Sequence, residues 1–261
     1  MEIPHLVALD LDGTLINPDA TIAAKTLQQL ARLHKHQVII AIATGRPAED
    51  TLRFMEGNGI GGSTGYPEFL ICEERDIYEL KDGQYQPWCP WNQEALTTER
   101  DLLPRAREII QEFSRQYPHL TFRLNDEATQ ERRGFVEAVF PDPETALAAH
   151  TKLLDLMGAD NLRPVRNHRG IALRFPILGK GPILAKLSEH LGIPPELVLA
   201  MGDSQNDMGM LQRFLPATTG NADQEVKELV EARGGIIAQR ERSEGVGDVL
   251  EMIVTRLEEI A

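Results

Sequence analysis

A short apolar segment that ends in two aspartates limits most strongly what this chain can fold into. Residues 6–9 are Leu-Val-Ala-Leu, and Asp10-Leu11-Asp12-Gly13-Thr14 follows directly. A continuous apolar run of this kind is typical of a strand buried on both faces of a parallel sheet. Open α/β sheets bind their ligands beyond the carboxyl ends of the strands. The sequence therefore predicts paired carboxylates at a ligand-binding edge, where Asp10 could attack phosphorus and Asp12 could hold the leaving-group proton.

The Asp-x-Asp spacing also begins calcium-binding loops. An EF-hand loop starting at Asp10 would carry Gly at its sixth position and Glu at its twelfth. Leu15 and Thr21 occupy those positions, and an apolar run precedes the loop where an EF-hand has a helix. The calcium loop is therefore disfavoured, whereas a solvated turn after a strand stays open for this segment taken alone.

Three more apolar runs, at 38–43, 69–72 and 197–201, have the same strand-like character. Apolar residues at helical spacing separate them, at 23–31 after the first strand and at 183–191 before the last. Alternation of strands and helices is typical of helices packed on both faces of a parallel sheet. The expected fold class is α/β, with a Rossmann-like doubly wound parallel sheet as its core.

The middle of the chain has a different pattern, which predicts an inserted smaller α+β cap domain. Pro104 is expected to open a helix, and Asp142-Pro143 to cap and begin a second helix that ends at Gly158. The order α-β-β-α-β-β follows from strands expected at 120–124, 135–140, 162–165 and 171–175. The predicted domains are therefore a core of residues 1–83 and 175–261 and an insert of residues 84–174.

Composition narrows the classes of partner. The chain has 261 residues and a formal net charge of -13, which argues against a nucleic-acid partner but not against a small anion bound in a cleft. No run approaches the ~18 apolar residues of a membrane span, and no signal peptide is recognisable, so no membrane partner is expected. Two cysteines are too few for a disulfide framework and favour a cytoplasmic protein. Composition does not determine the oligomeric state.

Polar residues follow these strands in an order that resembles the haloacid dehalogenase (HAD) superfamily of phosphatases. The first motif is matched by Asp10–Thr14, the second by Thr44-Gly45-Arg46, the third by Lys180, and the fourth by Gly202-Asp203 with Asn206-Asp207. The large insert resembles the C2-cap subgroup, which contains Cof-type, sucrose-phosphate and mannosyl-phosphoglycerate phosphatases. Gly220-Asn221-Ala222 and Glu244-Gly245-Val246 are also similar to that subgroup.

The resemblance implies a Mg²⁺-dependent phosphatase of a small phosphorylated metabolite, most often a sugar or glycoside phosphate. Asp10 would be the nucleophile and Asp12 the general acid and base. Mg²⁺ would be held by Asp10, Asp203 and the backbone carbonyl of Asp12, with Asp207 acting through water or as an orienting group. Carboxylate attack on a phosphate dianion needs such charge neutralisation, and Mg²⁺ prefers hard oxygen ligands.

The remaining motif residues would hold the phosphoryl group. The resemblance assigns this role to Thr44, Gly45, Arg46 and Asn206, while the Lys180 ammonium would offset negative charge on the nucleophile and on the transferring group. Several motif residues have a structural alternative when taken singly: Thr44 as a strand-end hydroxyl, Arg46 as an ion-pair partner and Lys180 as a surface lysine. Asp203 and Asp207 could likewise only cap the start of a helix, where carboxylates are favoured.

One segment departs from the subgroup. After the third strand such enzymes often carry Asn-Gly before the cap, whereas this chain has Cys72-Glu73-Glu74-Arg75-Asp76.

Within the insert, basic clusters are candidates for gripping the rest of the substrate. The main candidate is Arg166, His168 and Arg169, beside Arg163; a second cluster is Arg132-Arg133, and solvated loops are the alternative for both.

Other functions stay open at this point. A phosphomutase would use the same residues to transfer the phosphoryl group to a second sugar hydroxyl. A silent binding module on this fold would be expected to lack a catalytic carboxylate, and none is missing. A nucleotide-binding oxidoreductase would need a Gly-rich turn after the first strand, which Asp12-Gly13-Thr14 does not supply.

Overall fold

The computed structural model describes residues 3–125, 136–158, 160, 162–175 and 177–260. The chain forms two compact units: a core unit of Met1–Trp88 with Lys180–Ala261, and an inserted unit of Cys89–Gly179. Both boundaries lie five residues beyond those expected from the sequence. Residues 84–87 pair with the core sheet through a hairpin, so the core continues past residue 83.

The described residues form twelve strands and eight α-helices. The strands are β1 (Leu6–Asp10), β2 (Ile39–Ala43), β3 (Phe69–Cys72), β4 (Asp76–Lys81), β5 (Gln84–Pro87), β6 (Arg123–Asn125), β7 (Val136–Val139), β8 (Arg163–Asn167), β9 (Gly170–Arg174), β10 (Val198–Met201), β11 (Leu215–Thr218) and β12 (Ile236–Ile237). The helices are α1 (Ala24–Lys35), α2 (Ala48–Gly57), α3 (Trp91–Gln116), α4 (Pro143–Met157), α5 (Lys180–Leu191), α6 (Met208–Arg213), α7 (Gln224–Ala232) and α8 (Arg242–Ile260).

The core sheet has the strand order β12-β11-β10-β1-β2-β3-β4-β5. Strands from β12 to β3 run parallel to their neighbours, and β4 and β5 add an antiparallel hairpin at one edge. The register pairs Leu9 with Met201 of β10, and Asp10 with Ala43 of β2. The loops that follow these three central strands therefore begin side by side, at the edge where such sheets bind ligands.

Both faces of the core sheet are covered. Val7 and Leu9 of β1 belong to one apolar cluster with Leu30 of α1 and Val249 of α8. The alternate residues of β1, whose side chains point to the other face of the sheet, are also buried. On that face α5 contacts β3, and α6 contacts β10. Burial on both faces explains why the central strands read as continuous apolar runs. The predicted α/β, doubly wound fold is confirmed.

The inserted unit is an antiparallel sheet in the order β6-β7-β9-β8 with α3 and α4 packed on it. Phe113, Phe140, Leu153 and Ile171 are among the residues of its own apolar core. Asp142 caps α4 as expected, since its side chain accepts a hydrogen bond from Thr145 N at 2.7 Å. The α-β-β-α-β-β order is the one expected from the sequence.

Local predictions were less accurate. Pro104 does not begin a helix but lies inside α3, because buried apolar residues on both sides of it, such as Ala95 and Ile110, favour one continuous helix over the ~3 kcal/mol penalty of an interior proline. The strand expected at 120–124 forms at Arg123–Asn125. The hairpin of β4 and β5 was not predicted, and residue 135 lies outside the described residues.

None of the eight described helices combines the length and the apolar character that crossing a membrane requires.

Candidate active site

Asp10 ends β1 as a buried carboxylate with two different oxygens. Its Oδ1 accepts a hydrogen bond from Lys180 Nζ at 2.5 Å, across 170 residues of sequence. Its Oδ2 is buried and has no hydrogen-bond partner among the described residues. Buried carboxylate oxygens are normally satisfied. The orphaned Oδ2 is therefore available to a reacting atom or a cation.

The loop after β10 brings two more carboxylates to the same place. Asp207 is fully buried: its Oδ1 accepts from Lys180 Nζ at 2.7 Å, and its Oδ2 accepts from the backbone N–H groups of Asp203 at 3.0 Å and Ser204 at 3.1 Å. Asp203 is 3% exposed, and its Oδ1 accepts from the Thr14 hydroxyl at 3.0 Å. Asp207 therefore fixes the loop that carries Asp203.

Two glycines permit this close packing. A Cβ on Gly13, which has a φ of +85°, would lie 2.3 Å from Asp203 Oδ2. A Cβ on Gly202 would lie 2.3 Å from Asp207 Cγ. Only a residue without a side chain can let the backbone approach these carboxylates so closely.

The electrostatics of the cluster are unbalanced. Burial raises the pKa of Asp10 well above its usual value, the charges of Asp207 and Asp203 raise it further, and the Lys180 ammonium opposes the shift. Burial and the charge of Asp207 raise the pKa of Asp203 to about 6. Burial disfavours the charged form of Lys180, but Asp10 and Asp207 outweigh it and raise the pKa of that ammonium. Additional positive charge would favour the ionised forms of Asp10 and Asp203.

These groups fit a divalent cation. Asp10, Asp203 and Asp207 each offer a carboxylate oxygen, and these oxygens all lie within 4.8 Å of one another. Hard oxygen donors, surplus negative charge and the orphaned Asp10 Oδ2 are the properties of a Mg²⁺ site. Because both Asp207 oxygens already accept hydrogen bonds, Asp207 suits the orienting role better than direct ligation.

The second motif forms a compact loop at the end of β2. Thr44 is fully buried, and its hydroxyl oxygen accepts from Arg46 N at 3.1 Å. Its backbone N–H donates to Ile71 O at 2.8 Å, which holds the loop against β3. Gly45 lies between Thr44 and Arg46 and is exposed. The hydroxyl and the loop are thus held at the same sheet edge as Asp10.

Asp12 and Arg46 form an ion pair. Ion pairing was the structural alternative for Arg46, but the sequence did not identify Asp12 as its partner. Arg46 Nε donates to Asp12 Oδ2 at 2.8 Å, and Nη2 contacts Asp12 Oδ1. Both side chains are partly open to solvent, at 35% for Arg46 and 51% for Asp12. The structure therefore places the predicted acid and one predicted phosphate ligand against each other, at the exposed side of the buried cluster.

Asn206 has a partner that sequence reasoning missed. Its Nδ2 donates to Oε1 of Glu74, a carboxylate that is 4% exposed, at 2.8 Å. Its Oδ1 accepts from the Ser204 hydroxyl at 2.5 Å. The departure from the subgroup at residues 72–76 was the available signal, since it placed acidic residues where Asn-Gly was expected. Asn221, noted only as part of a similar motif, donates from Nδ2 to Gly13 O at 2.8 Å and so supports the first loop.

The main basic cluster predicted in the insert, Arg166, His168 and Arg169, is divided between buried and exposed positions. Arg166 is 6% exposed, and its Nη1 donates to His168 O at 3.2 Å. His168, with a φ of 48°, and Arg169 are exposed in the turn between β8 and β9. Arg132 and Arg133 lie outside the described residues. The substrate-binding role of these residues stays a prediction.

Comparison with known proteins gives a match to one family over more than half of the chain. Residues 7–74 and 168–250 match the model of the haloacid dehalogenase-like hydrolases. All the residues of the four motifs lie within these ranges, and most of the inserted unit lies outside them.

Relatives that match over most of their length are phosphatases. The chain is 25% identical to the 5-amino-6-(5-phospho-D-ribitylamino)uracil phosphatase of Bacillus subtilis (strain 168), covering 87% of this chain and 90% of that protein. It is 28% identical to a phosphoglycolate phosphatase of Methanopyrus kandleri, and the match covers 97% of this chain and 98% of that protein. Its fold is similar to that of the sucrose-phosphatase of Synechocystis sp. PCC6803, with a TM-score of 0.70 and 18% sequence identity. The match covers 97% of this chain and 98% of that structure.

Proposed function

This chain belongs to the haloacid dehalogenase-like hydrolases and is a phosphoric monoester hydrolase, and we propose that it is Mg²⁺-dependent and acts on a small sugar or glycoside phosphate through an aspartyl-phosphate on Asp10. The observation that carries the proposal is the state of the Asp10 carboxylate. One oxygen accepts a hydrogen bond from Lys180, and the other is buried near Asp203 and Asp207 and has no hydrogen-bond partner within the part of the chain that the structure describes. A nucleophile poised for phosphorus needs one oriented oxygen and one free oxygen.

The choice of substrate class rests on the family and the relatives. The substrates that the names of the two relatives give are small phosphate esters, and neither is a macromolecule. The large insert is the feature of the subgroup that acts on sugar and glycoside phosphates. A phosphorylated sugar or glycoside is therefore the proposed substrate class.

In the first half-reaction, the Asp10 carboxylate forms a bond to phosphorus while the ester P–O bond breaks. Thr44, Gly45 and Asn206 bind the phosphoryl oxygens, and Lys180 offsets the charge on Asp10. Asp12 transfers its proton to the leaving oxygen and releases the alcohol. Since Asp12 is paired with Arg46, the pair has to separate before Asp12 carries a proton. Binding of Arg46 to the phosphoryl group would separate it.

In the second half-reaction, Asp12 is ionised and takes a proton from a water molecule. The water oxygen forms a bond to phosphorus, the Asp10–phosphorus bond breaks, and inorganic phosphate is released. Asp12 is then protonated for the next cycle. The same residue serves both steps because each step leaves it in the state that the other needs.

The cation would be held by Asp10, Asp203 and the backbone of Asp12, with Asp207 orienting the loop. Bound Mg²⁺ supplies positive charge that lets two anions approach each other. The contribution of these residues is to hold the cation and to orient Asp10.

The test is a screen of the purified chain against a panel of phosphate monoesters. The protein is stripped with EDTA and assayed before and after addition of Mg²⁺, with Asp10→Asn as the blank. We expect no turnover without metal, recovery with Mg²⁺, and the highest kcat/KM for a sugar or glycoside phosphate. Full activity in metal-free buffer would exclude the assigned roles of Asp10 and Asp203.

The same assay separates the alternatives. A phosphomutase would give a phosphorylated product, and little inorganic phosphate, when a sugar acceptor is added. A silent binding module would bind phosphate esters without releasing phosphate. A cytoplasmic location stays a prediction from cysteine content; both cysteines are free, Cys72 buried and Cys89 exposed.

A further inference from the structure

The turn between β3 and β4 is built from two buried glutamates in an unusual conformation. Glu73 and Glu74 have φ values of 54° and 52°, in the left-handed region that L-residues other than Asn and Asp rarely adopt. They are 6% and 4% exposed. Asn-Gly is the usual sequence of a hairpin turn with two such residues. A strained conformation retained at a site is a reason to look for a function.

A buried arginine stabilises this turn. Arg75 Nε donates to Asp76 Oδ1 at 2.9 Å, and its Nη2 donates to Asp76 Oδ2 at 2.7 Å and to Glu73 Oε2 at 3.0 Å. The Arg75 side chain is 3% exposed, so its hydrogen bonds to the two carboxylates are largely removed from water. Charge-assisted, bidentate bonds of this kind fix geometry as well as contribute energy.

The turn is also tied to the second motif. Glu73 N donates to Arg46 O at 2.9 Å, and Glu74 N donates to Thr44 O at 3.1 Å. Glu74 is thereby fixed beside the loop that is proposed to hold phosphoryl oxygens. A Cβ placed on Gly45 would lie 3.6 Å from Glu74 Oε1, which shows how near the carboxylate is to that loop.

From this position Glu74 determines the orientation of the Asn206 amide. An ionised carboxylate can only accept hydrogen bonds, so it selects the NH₂ end of the amide. Asn206 Nδ2 donates to Glu74 Oε1, while the Ser204 hydroxyl donates to Asn206 Oδ1. The NH₂ group carries a second N–H, which Glu74 does not use. With both ends held, that N–H has a fixed direction.

We propose that Glu74 is a positioning residue for phosphoryl transfer, acting through Asn206: it holds the amide so that the second N–H of Nδ2 can donate to a phosphoryl oxygen. This rests on the proposed function, in which Asn206 binds the phosphoryl group. Glu74 itself need not touch the substrate. Glu74 acts through its acceptor oxygen, and the turn between β3 and β4 fixes the position of that oxygen.

The test compares Glu74→Gly, Glu74→Gln, Asn206→Ala and the double variant Glu74→Gly/Asn206→Ala, with p-nitrophenyl phosphate as substrate. Glu74→Gly should lower kcat/KM at least tenfold. The melting temperature should change little, because glycine adopts a positive φ without strain and this offsets the lost hydrogen bond to Asn206. Glu74→Gln keeps an acceptor oxygen and should retain at least a third of wild-type activity. The double variant should be no worse than Asn206→Ala alone, since both changes remove one interaction.

Glu73→Gln is the matched control, because it removes a carboxylate from the same turn while keeping an acceptor for Arg75; near wild-type activity is expected. Unchanged activity in Glu74→Gly, additive losses in the double variant, or a Glu74→Gln as impaired as Glu74→Gly would each overturn the proposal. A wild-type protein without phosphatase activity would instead contradict the proposed function.

A measurement without turnover separates these two failures. The side-chain amide protons of Asn206, assigned in ¹⁵N-labelled protein by comparison with Asn206→Ala, should shift in Glu74→Gly and largely return in Glu74→Gln. Identical Asn206 signals in wild type and Glu74→Gly would show that Glu74 does not orient the amide, whatever the activity.

Discussion

The charged groups of the core unit and those of the inserted unit are organised in opposite ways. In the core unit, Asp10, Lys180 and Asp207 are far apart in sequence, yet they meet in one buried cluster. In the inserted unit, Arg166 and Arg169 are close in sequence, yet Arg166 is buried whereas Arg169 is exposed in the turn. The ends of parallel strands bring distant residues together. In the hairpin, near neighbours differ in burial because Arg166 lies within β8 and Arg169 lies in the exposed turn.

The largest expected effect comes from removing the charge of the nucleophile. Asp10→Asn keeps the size of the side chain, but hydrolysis should fall by at least ~10³-fold because covalent catalysis is lost rather than weakened. Initial rates with Mg²⁺ measure this, and trapping with beryllium fluoride should place the adduct on Asp10. The matched control, Asp142→Asn, changes a helix cap in the inserted unit and should leave the rate nearly unchanged. Retention of more than a few per cent of activity by Asp10→Asn would exclude the mechanism.

Removing Lys180 should reveal how far the core cluster depends on one positive charge. Lys180→Met leaves Asp10 and Asp207 buried without their ammonium, which should lower the free energy of unfolding in metal-free buffer by about 3–5 kcal/mol. Activity should fall by roughly 10²-fold or more. Denaturant titration and initial rates are the measurements.

Lys25→Met provides the comparison, since Lys25 pairs with Asp248 and Glu251 at the surface and should contribute little to stability. Added Mg²⁺ should restore part of the stability of Lys180→Met but not of Lys25→Met. Equal destabilisation by the two changes would contradict the buried, charge-balanced site.

Replacing Asp12 should separate substrates by their leaving groups. Asp12→Ala removes the acid that assists an alkoxide, whereas p-nitrophenolate leaves with little help. In single-turnover measurements, phosphoenzyme formation from a sugar phosphate should therefore be slowed by roughly tenfold more than formation from p-nitrophenyl phosphate. If both substrates lose the same factor, Asp12 is not the general acid and its pair with Arg46 has another role.

The smallest effect is expected from the exposed turn of the inserted unit. Arg169→Ala should leave the melting temperature unchanged and lower kcat/KM for the preferred substrate by roughly tenfold, about 1.4 kcal/mol, with little change for p-nitrophenyl phosphate. Arg166→Ala should instead lower the melting temperature, because that side chain is buried. If Arg169→Ala changes neither substrate, the turn is a solvated loop, and Arg123, exposed in β6, is the next residue to test.

Much of the fold could be predicted because the signals are local. The central strands are continuous apolar runs, so β1 and β3 were located to within a residue. The cap at Asp142 and the end at Gly158 were readable because a helix terminus depends on a few adjacent residues. Pro104 was misread because the packing that keeps α3 continuous comes from other elements. The β4–β5 hairpin was missed because its strands are half-exposed and lack a clear apolar run.

By itself the sequence determined the family, the doubly wound core and the hydrolase class, because strand-end motifs and apolar periodicity are properties of short, continuous segments. It also placed Asp10, Asp203 and Lys180 among the candidates for one site. Only the tertiary structure decided that Asp12 is paired with Arg46, that Arg166 is buried, and that Glu74 faces Asn206. Such pairings depend on which loops become neighbours and how deeply each side chain is desolvated, and neither property belongs to any single segment of the chain.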